Sequence, residues 1–138
     1  MKNSLLKLAK ANKNLVVLSA GTSYCGDFAK FFPERHFVFG PAEANIVSCA
    51  AAFALTGKLP VVIGSADFLV SRGFDQILND ICIPNLNVKI LAVGQTEEVL
   101  KKCVSALPNL KFEKVNKFKE LDELMKEYGP AYLSLDEL

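Results

Sequence analysis

The stretch FGPAEANIVSCAAAFALTGKLP, residues 39 to 60, holds one carboxylate, Glu43, followed by fourteen uncharged residues before Lys58. Nearly every position from Ala44 to Leu55 is apolar, which is typical of a helix buried in a core or an interface. Pro41 suits the first helical position, and a carboxylate in the first turn gains about 0.3–1 kcal/mol from the helix dipole. A dry carboxylate is costly unless another group pairs with it, so the sequence predicts a partner for Glu43.

Around this stretch, short apolar runs rich in β-branched residues alternate with helical patterns. The predicted strands are 15–19, 36–40, 59–65, 87–94, 110–115 and 130–135, and the predicted helices are about 24–32, 41–56, 66–82, 95–106 and 117–128. This order predicts an α/β fold of three layers, with helices on both faces of a mostly parallel six-stranded sheet. The runs LVVLS and PVVIG lack polar alternation, so these strands are expected to be covered on both faces.

Length and charge narrow the possible classes of protein. A chain of 138 residues is predicted to form one domain, 1–138, and a net charge of +1 argues against nucleic acid or an anionic membrane as partner. Lys7 and Lys10 interrupt what would be the apolar core of a signal peptide, and residues 44–57 are too short for a membrane span. The four cysteines form no CxxC pair, which favours reduced thiols, no metal site and a cytoplasmic location.

Five residues stand out because they lie on two successive predicted helices that follow strands, where open α/β sheets gather their ligands. They are Glu43, Phe68, Arg72, Asp75 and Gln76. A structural interpretation is open for each: Phe68 suits a core position, and the i, i+3 spacing of Arg72 and Asp75 suits a surface ion pair or an interface.

The runs GPAEAN, AAAFALTGKLPVV, FLVSRGFDQILNDI and PNLNVKI, with FAKFFPERHFVFG upstream, resemble the pyrimidine-binding domain of the transketolase family, which includes deoxyxylulose-phosphate synthase. The similarity is close over about residues 14–93 and weaker to the end. It implies the thiamine diphosphate-binding fold. It also implies that thiamine diphosphate lies between this domain and a partner subunit that binds the diphosphate and Mg²⁺.

The resemblance also implies roles for individual residues. Glu43 matches the glutamate that hydrogen-bonds N1′ of the aminopyrimidine and promotes the imino tautomer, which removes the thiazolium C2 proton. Phe68 matches an aromatic residue near the pyrimidine, and Arg72 lies in the matching R-x-x-D-Q-I helix. Glu43, Phe68 and Arg72 are therefore the predicted cofactor-binding residues, and Glu43 is also the predicted catalytic residue.

The chain departs from the family pattern after its fourth predicted strand. A glycine-rich loop carrying a histidine is expected there, but Gly94 passes directly into QTEEVLKKCVSALPNL. The single histidine, His36, lies in the strand before Glu43, and a partly buried strand position is predicted for it. The GDG motif with a following asparagine, which relatives use to hold Mg²⁺ and the diphosphate, is absent.

Three functions remain open at this point. The first is the pyrimidine-binding subunit of a split, transketolase-like transferase, inactive alone and active in a homo-oligomer or in a hetero-oligomer with a diphosphate-binding transketolase subunit. The second is a degenerate, non-catalytic paralogue that acts as a structural or regulatory partner, which the missing histidine loop favours. The third is an unrelated small-molecule binding module.

Overall fold

The computed structural model describes residues 2–137 and contains a six-stranded sheet in which every neighbouring pair of strands is parallel. The strands are β1 (Leu15–Ser19), β2 (His36–Val38), β3 (Leu59–Ser65), β4 (Lys89–Val93), β5 (Lys111–Lys114) and β6 (Ala131–Leu135). Their order across the sheet is β2-β1-β3-β4-β6-β5. The predicted α/β class and six-stranded sheet are confirmed, and the sheet is wholly parallel in this part of the chain.

Helices connect the strands. They are α1 (Lys2–Ala11), α2 (Phe28–Phe31), α3 (Glu43–Leu55), α4 (Ala66–Gln76), α5 (Glu98–Ser105) and α6 (Phe118–Lys126). Short 3₁₀ helices cover Thr22–Tyr24 and Pro33–Arg35, and α4 continues directly into a π-helix at Ile77–Cys82.

The two faces of the sheet form two separate hydrophobic cores. Alternate side chains of each strand point to opposite faces, so Val16 and Leu18 of β1 pack beneath α3, α4 and α5, whereas Leu15 and Val17 pack with α1, α2 and α6. Strand β1 is buried throughout, and β3 is buried except at its last residue. Helices therefore cover both faces of the central strands, as their continuous apolar runs predict.

The boundaries differ from the predicted ones in a few places. Helix α2 has only four residues, because Phe32 leaves helical geometry before Pro33. Helix α3 begins at Glu43 with Ala42 as its N-cap, so Pro41 lies before the helix and not at its first position. Helix α1 was not among the predicted helices, although Leu5, Leu8 and Ala9 form a buried stripe at helical spacing.

The winding of the chain reverses at β1, which lies between β2 and β3. After β2 the chain crosses back over the carboxyl end of β1, where the Phe39 backbone N–H donates to the Ser19 carbonyl at 3.0 Å. Helix α3 then starts on the opposite face of the sheet from α2. Ligands of open parallel sheets usually bind at such a reversal, outside the carboxyl ends of the strands.

Candidate active site

Glu43 is the first residue of α3 and is 3% exposed, although α3 has an exposed side farther along. It follows β2 by only four residues, which places it near the carboxyl edge of the sheet, where the chain reverses. The first-turn N–H groups of α3 and the positive end of its dipole favour a negative charge at this position.

The charged partner of Glu43 is Arg72 on the neighbouring helix α4. Arg72 Nη1 donates a hydrogen bond to Glu43 Oε2 at 3.4 Å, and the arginine side chain is 48% exposed. This distance is long for an ion-paired hydrogen bond, which is usually about 2.7–2.9 Å. Glu43 therefore has the charged partner that the sequence predicts, but their hydrogen bond is weak and Arg72 is half exposed to solvent.

Phe68 completes a compact group with these two residues. It lies one helical turn before Arg72, and the Arg72 guanidinium carbon is 3.9 Å from the centre of its ring. The ring is 46% exposed, so Phe68 is not the core residue that the structural interpretation suggested. The structure thus links Glu43, in the first turn of α3, and Phe68, in the first turn of α4, through Arg72 near the middle of α4.

Asp75 and Gln76 lie farther along α4 and do not join this group. Asp75 Oδ1 accepts a hydrogen bond from Asn79 Nδ2 at 2.8 Å, and Gln76 Nε2 lies 3.4 Å from Asp75 Oδ2. The surface ion pair that the spacing of Arg72 and Asp75 allowed does not form, because the guanidinium turns towards Glu43.

Close packing of α3 on α4 fixes the relative positions of Glu43 and Arg72. Gly73 lies at this contact: a Cβ placed on it would be at ordinary contact distances, 3.5 Å from Val47 Cγ2 and 3.6 Å from the Glu43 carbonyl oxygen. Farther along α3, Ser48 Oγ donates a hydrogen bond to Asp80 Oδ2 in the π-helix at 2.6 Å. Neither contact was predicted from the sequence, since both join residues distant in the chain.

Strand β2 carries His36 beside β1, as predicted for a partly buried strand histidine. His36 Nε2 and Ser19 Oγ are 2.9 Å apart, and the Phe28 ring packs edge-on against the imidazole. Burial lowers the pKa of His36. Burial also raises the pKa of the nearby Cys25 thiol, against the smaller opposing effect of its hydrogen bond with Ser19. These buried groups connect β1 to its neighbours and do not contact Glu43.

The connection after β4 is short. Four residues, Gly94 to Glu97, join the strand to α5, and Gly94 adopts a φ of +92° that favours glycine. The Gly94 N–H donates to the Leu135 carbonyl at 2.8 Å, and the Glu97 N–H donates to Asp67 Oδ1 at 2.9 Å. A polar depression of about 250 Å³ opens above this connection, and Lys101, Lys114 and Asp136 are among its lining residues, whereas Glu43 is not.

Metal-binding and membrane-spanning features would indicate other classes of function. Within residues 2–137, no three His, Cys, Asp or Glu side chains are grouped so that they could hold a metal ion. None of the helices in the same range combines the length and hydrophobicity needed to cross a bilayer.

Comparisons with known proteins support the family resemblance. No protein-family model matches the chain. A protein of Methanocaldococcus jannaschii, named as a transketolase C-terminal section, is 34% identical over 150 residues, which cover 96% of this chain and 48% of that protein. The 1-deoxy-D-xylulose-5-phosphate synthase of Syntrophus aciditrophicus is 46% identical over 90 residues, which cover 62% of this chain and 14% of that enzyme.

Structural similarity covers the whole fold. A solved split-gene transketolase, described as an inactive beta4 tetramer, superposes with a TM-score of 0.88 at 31% identity, covering 99% of this chain and 50% of that one. The chain thus spans about half of the transketolase section and a smaller share of the synthase. These matches confirm the resemblance that the sequence motifs indicate, and the chain is a transketolase-like protein that corresponds to one part of its longer relatives.

Proposed function

We propose that the chain is the pyrimidine-binding subunit of a split, transketolase-like thiamine diphosphate-dependent transferase. In this role it supplies Glu43 across an interface to a partner that binds the diphosphate and Mg²⁺. The observation that carries the proposal is the buried Glu43 carboxylate at the start of α3, which is joined through Arg72 to the half-exposed ring of Phe68. The similarity to a transketolase C-terminal section and to a split-gene transketolase supports it.

The residues present suit the pyrimidine half of the cofactor. A carboxylate shielded from water can share a proton with a ring nitrogen without losing it to solvent, and a flat aromatic face suits a planar heterocycle. When bound, thiamine diphosphate would supply the nucleophilic carbon that attacks the substrate. In the proposed complex, Glu43 shares a proton with the ring nitrogen and Phe68 presents its ring face. Arg72 is the charged side chain that contacts both residues in the free chain.

An exposed apolar surface supports the need for a partner. Phe37 and Val38 on β2 and Leu55 at the end of α3 are exposed, and the rings of Phe37 and Phe53 lie 5.1 Å apart. Large exposed apolar patches usually mark interaction sites. We propose that this surface is covered by a diphosphate-binding subunit or by a second copy of the chain, and that the isolated chain binds thiamine diphosphate weakly.

The test is the exchange of the cofactor C2 proton for deuterium in a complex reconstituted with a partner that carries the GDG and asparagine motif. Glu43→Gln keeps the shape of the side chain and is expected to slow exchange about 10²–10⁴-fold, the usual contribution of a general acid or base. Glu98→Gln is the matched control, because Glu98 also lies in the first turn of a helix but is exposed. Equal exchange rates in all three complexes would remove Glu43 from the mechanism.

A second candidate function is a non-catalytic paralogue that serves as a structural or regulatory subunit. The short Gly94–Glu97 connection, where relatives carry the histidine loop, favours it. In that case Glu43→Gln and Glu98→Gln would lower stability by similar amounts, about 0.3–1 kcal/mol each, and neither would alter exchange.

A further inference from the structure

We infer that Arg72 is a gate on the pyrimidine site: in the free chain its guanidinium occupies both surfaces that the heterocycle needs. This inference rests on the proposed function and adds a competition within the site. The guanidinium lies against the Phe68 ring at 3.9 Å and donates to Glu43 Oε2 at 3.4 Å. No other charged group of residues 2–137 pairs with Glu43 within 4.0 Å.

The guanidinium and a protonated aminopyrimidine share two chemical features. Each is a flat, delocalised group that can stack on an aromatic face, and each has an N–H that can donate a hydrogen bond to a carboxylate. The Phe68 ring face and the Glu43 oxygen can therefore bind either the guanidinium or the aminopyrimidine. The site of the free chain is consequently already filled by a group of its own, and a heterocycle can bind only by displacing it.

The geometry makes displacement easy. The hydrogen bond to Glu43 is long, and almost half of the Arg72 side chain is exposed, so the guanidinium can turn into water without crossing packed residues. A long ion pair with a half-exposed arginine and a cation–π contact on a half-exposed ring are both weak interactions. Glu43 itself stays fixed, because it lies in the first turn of α3, where that helix packs against Gly73.

Arg72 also protects the free chain. Without a ligand, removal of the guanidinium would leave a buried carboxylate with no counter-charge, which is unfavourable. Arg72 thus supplies the counter-charge of the Glu43 carboxylate until the heterocycle arrives, and it is a positioning residue.

The test uses 4-amino-5-hydroxymethyl-2-methylpyrimidine, the pyrimidine half alone, so that no diphosphate-binding partner is needed. Its affinity is measured by NMR titration for the wild-type chain, Arg72→Met, Arg72→Lys and the control Lys102→Met, which removes an exposed cation from α5. Arg72→Met is expected to bind the probe about three- to tenfold more tightly than the wild type, since the competitor is gone. Arg72→Lys is expected to lie between them because an ammonium stacks less well, and Lys102→Met should match the wild type.

A second readout follows Arg72 directly. Saturating probe should shift the Arg72 Nε–H signal of the wild-type chain towards that of a free arginine, a change that a merely structural arginine would not show. The proposed role of Arg72 would be refuted by any of three results. These are probe binding by Arg72→Met that is equal to or weaker than binding by the wild type, no binding by either protein, and an Nε–H signal that the probe does not shift. Failure of the proposed function is seen separately, as cofactor exchange that Glu43→Gln leaves unchanged.

Discussion

Replacing the buried Lys89 with methionine is expected to change how the free energy of unfolding depends on pH. Lys89 begins β4 and is 1% exposed, and its ammonium donates to the carbonyl oxygens of Glu127 and Gly129 at 2.7 Å each. Burial lowers its pKa from 10.5 to about 8, while the Glu127 carboxylate opposes this change and Lys111 adds to it. The folded chain therefore holds this proton less tightly than the unfolded chain does.

The sign follows from proton linkage. Between pH 8 and 10.5 the unfolded chain carries the proton and the folded chain does not, so stability rises with pH through this window. Below pH 8 both states are charged, and the full cost of burying the ammonium, about 3 kcal/mol, is present. The wild type is thus expected to gain about 2–3 kcal/mol relative to Lys89→Met between pH 7 and pH 10.

Urea unfolding of both chains at pH 7 and pH 10 measures this gain. Burial raises the pKa of Cys82 to about 11 and that of Tyr132 to about 12, but both groups are present in each chain and cancel in the difference. Lys102→Met is the control, because this lysine is exposed and should show almost no pH-dependent difference. A stability difference between wild type and Lys89→Met that is the same at both pH values would refute the reasoning, and would mean that the two carbonyl bonds offset burial.

Three further predictions concern packing and assembly. In urea unfolding, Gly73→Ala should be neutral or stabilising by up to about 1 kcal/mol, because the added Cβ meets α3 at ordinary contact distances. Gly73→Leu should instead lower the free energy of unfolding by about 1–3 kcal/mol, because the larger side chain would force α3 and α4 apart. Arg35→Lys should lower the melting temperature, because Arg35 donates hydrogen bonds to three backbone carbonyls near the end of α1 and its guanidinium stacks on the Phe32 ring at 3.9 Å. A melting temperature equal to that of the wild type would show that a lysine suffices. The isolated chain should self-associate in light scattering, and Leu55→Gln should weaken this; a monomer at high concentration would contradict the proposed apolar interface.

The strands could be predicted closely because their sequences allow few alternatives. β1 and β3 match the predicted 15–19 and 59–65, since unbroken β-branched runs bounded by polar or turn residues have no helical periodicity. Helix boundaries were less accurate: the prediction of 24–32 overestimated α2, where Pro33 and the preceding turn confine the helix to one turn. Local sequence therefore determines the elements better than it determines their ends.

The pairing within the candidate site was beyond prediction from local sequence. The apolar run after Glu43 predicts a dry carboxylate that needs a partner, but Arg72 is 29 residues away, and its spacing to Asp75 allowed a local pair instead. Only the packing of α3 on α4 decides between these partners. The buried Lys89 was missed for the same reason, because the carbonyls that bind its ammonium lie 38 and 40 residues along the chain.

The environment of Glu43 is difficult to explain by stability alone. A carboxylate in the first turn of a helix gains about 0.3–1 kcal/mol of stability from the helix dipole. A solvent-exposed carboxylate obtains this gain and also keeps its hydration, so burial is not needed for it. Here the carboxylate is 3% exposed and has a single, long ion pair with a half-exposed arginine. Buried ion pairs with imperfect geometry often stabilise a fold less than apolar residues of similar size would. The arrangement instead suits a proton-sharing carboxylate whose present partner can leave, which is the property that the proposed function requires of Glu43.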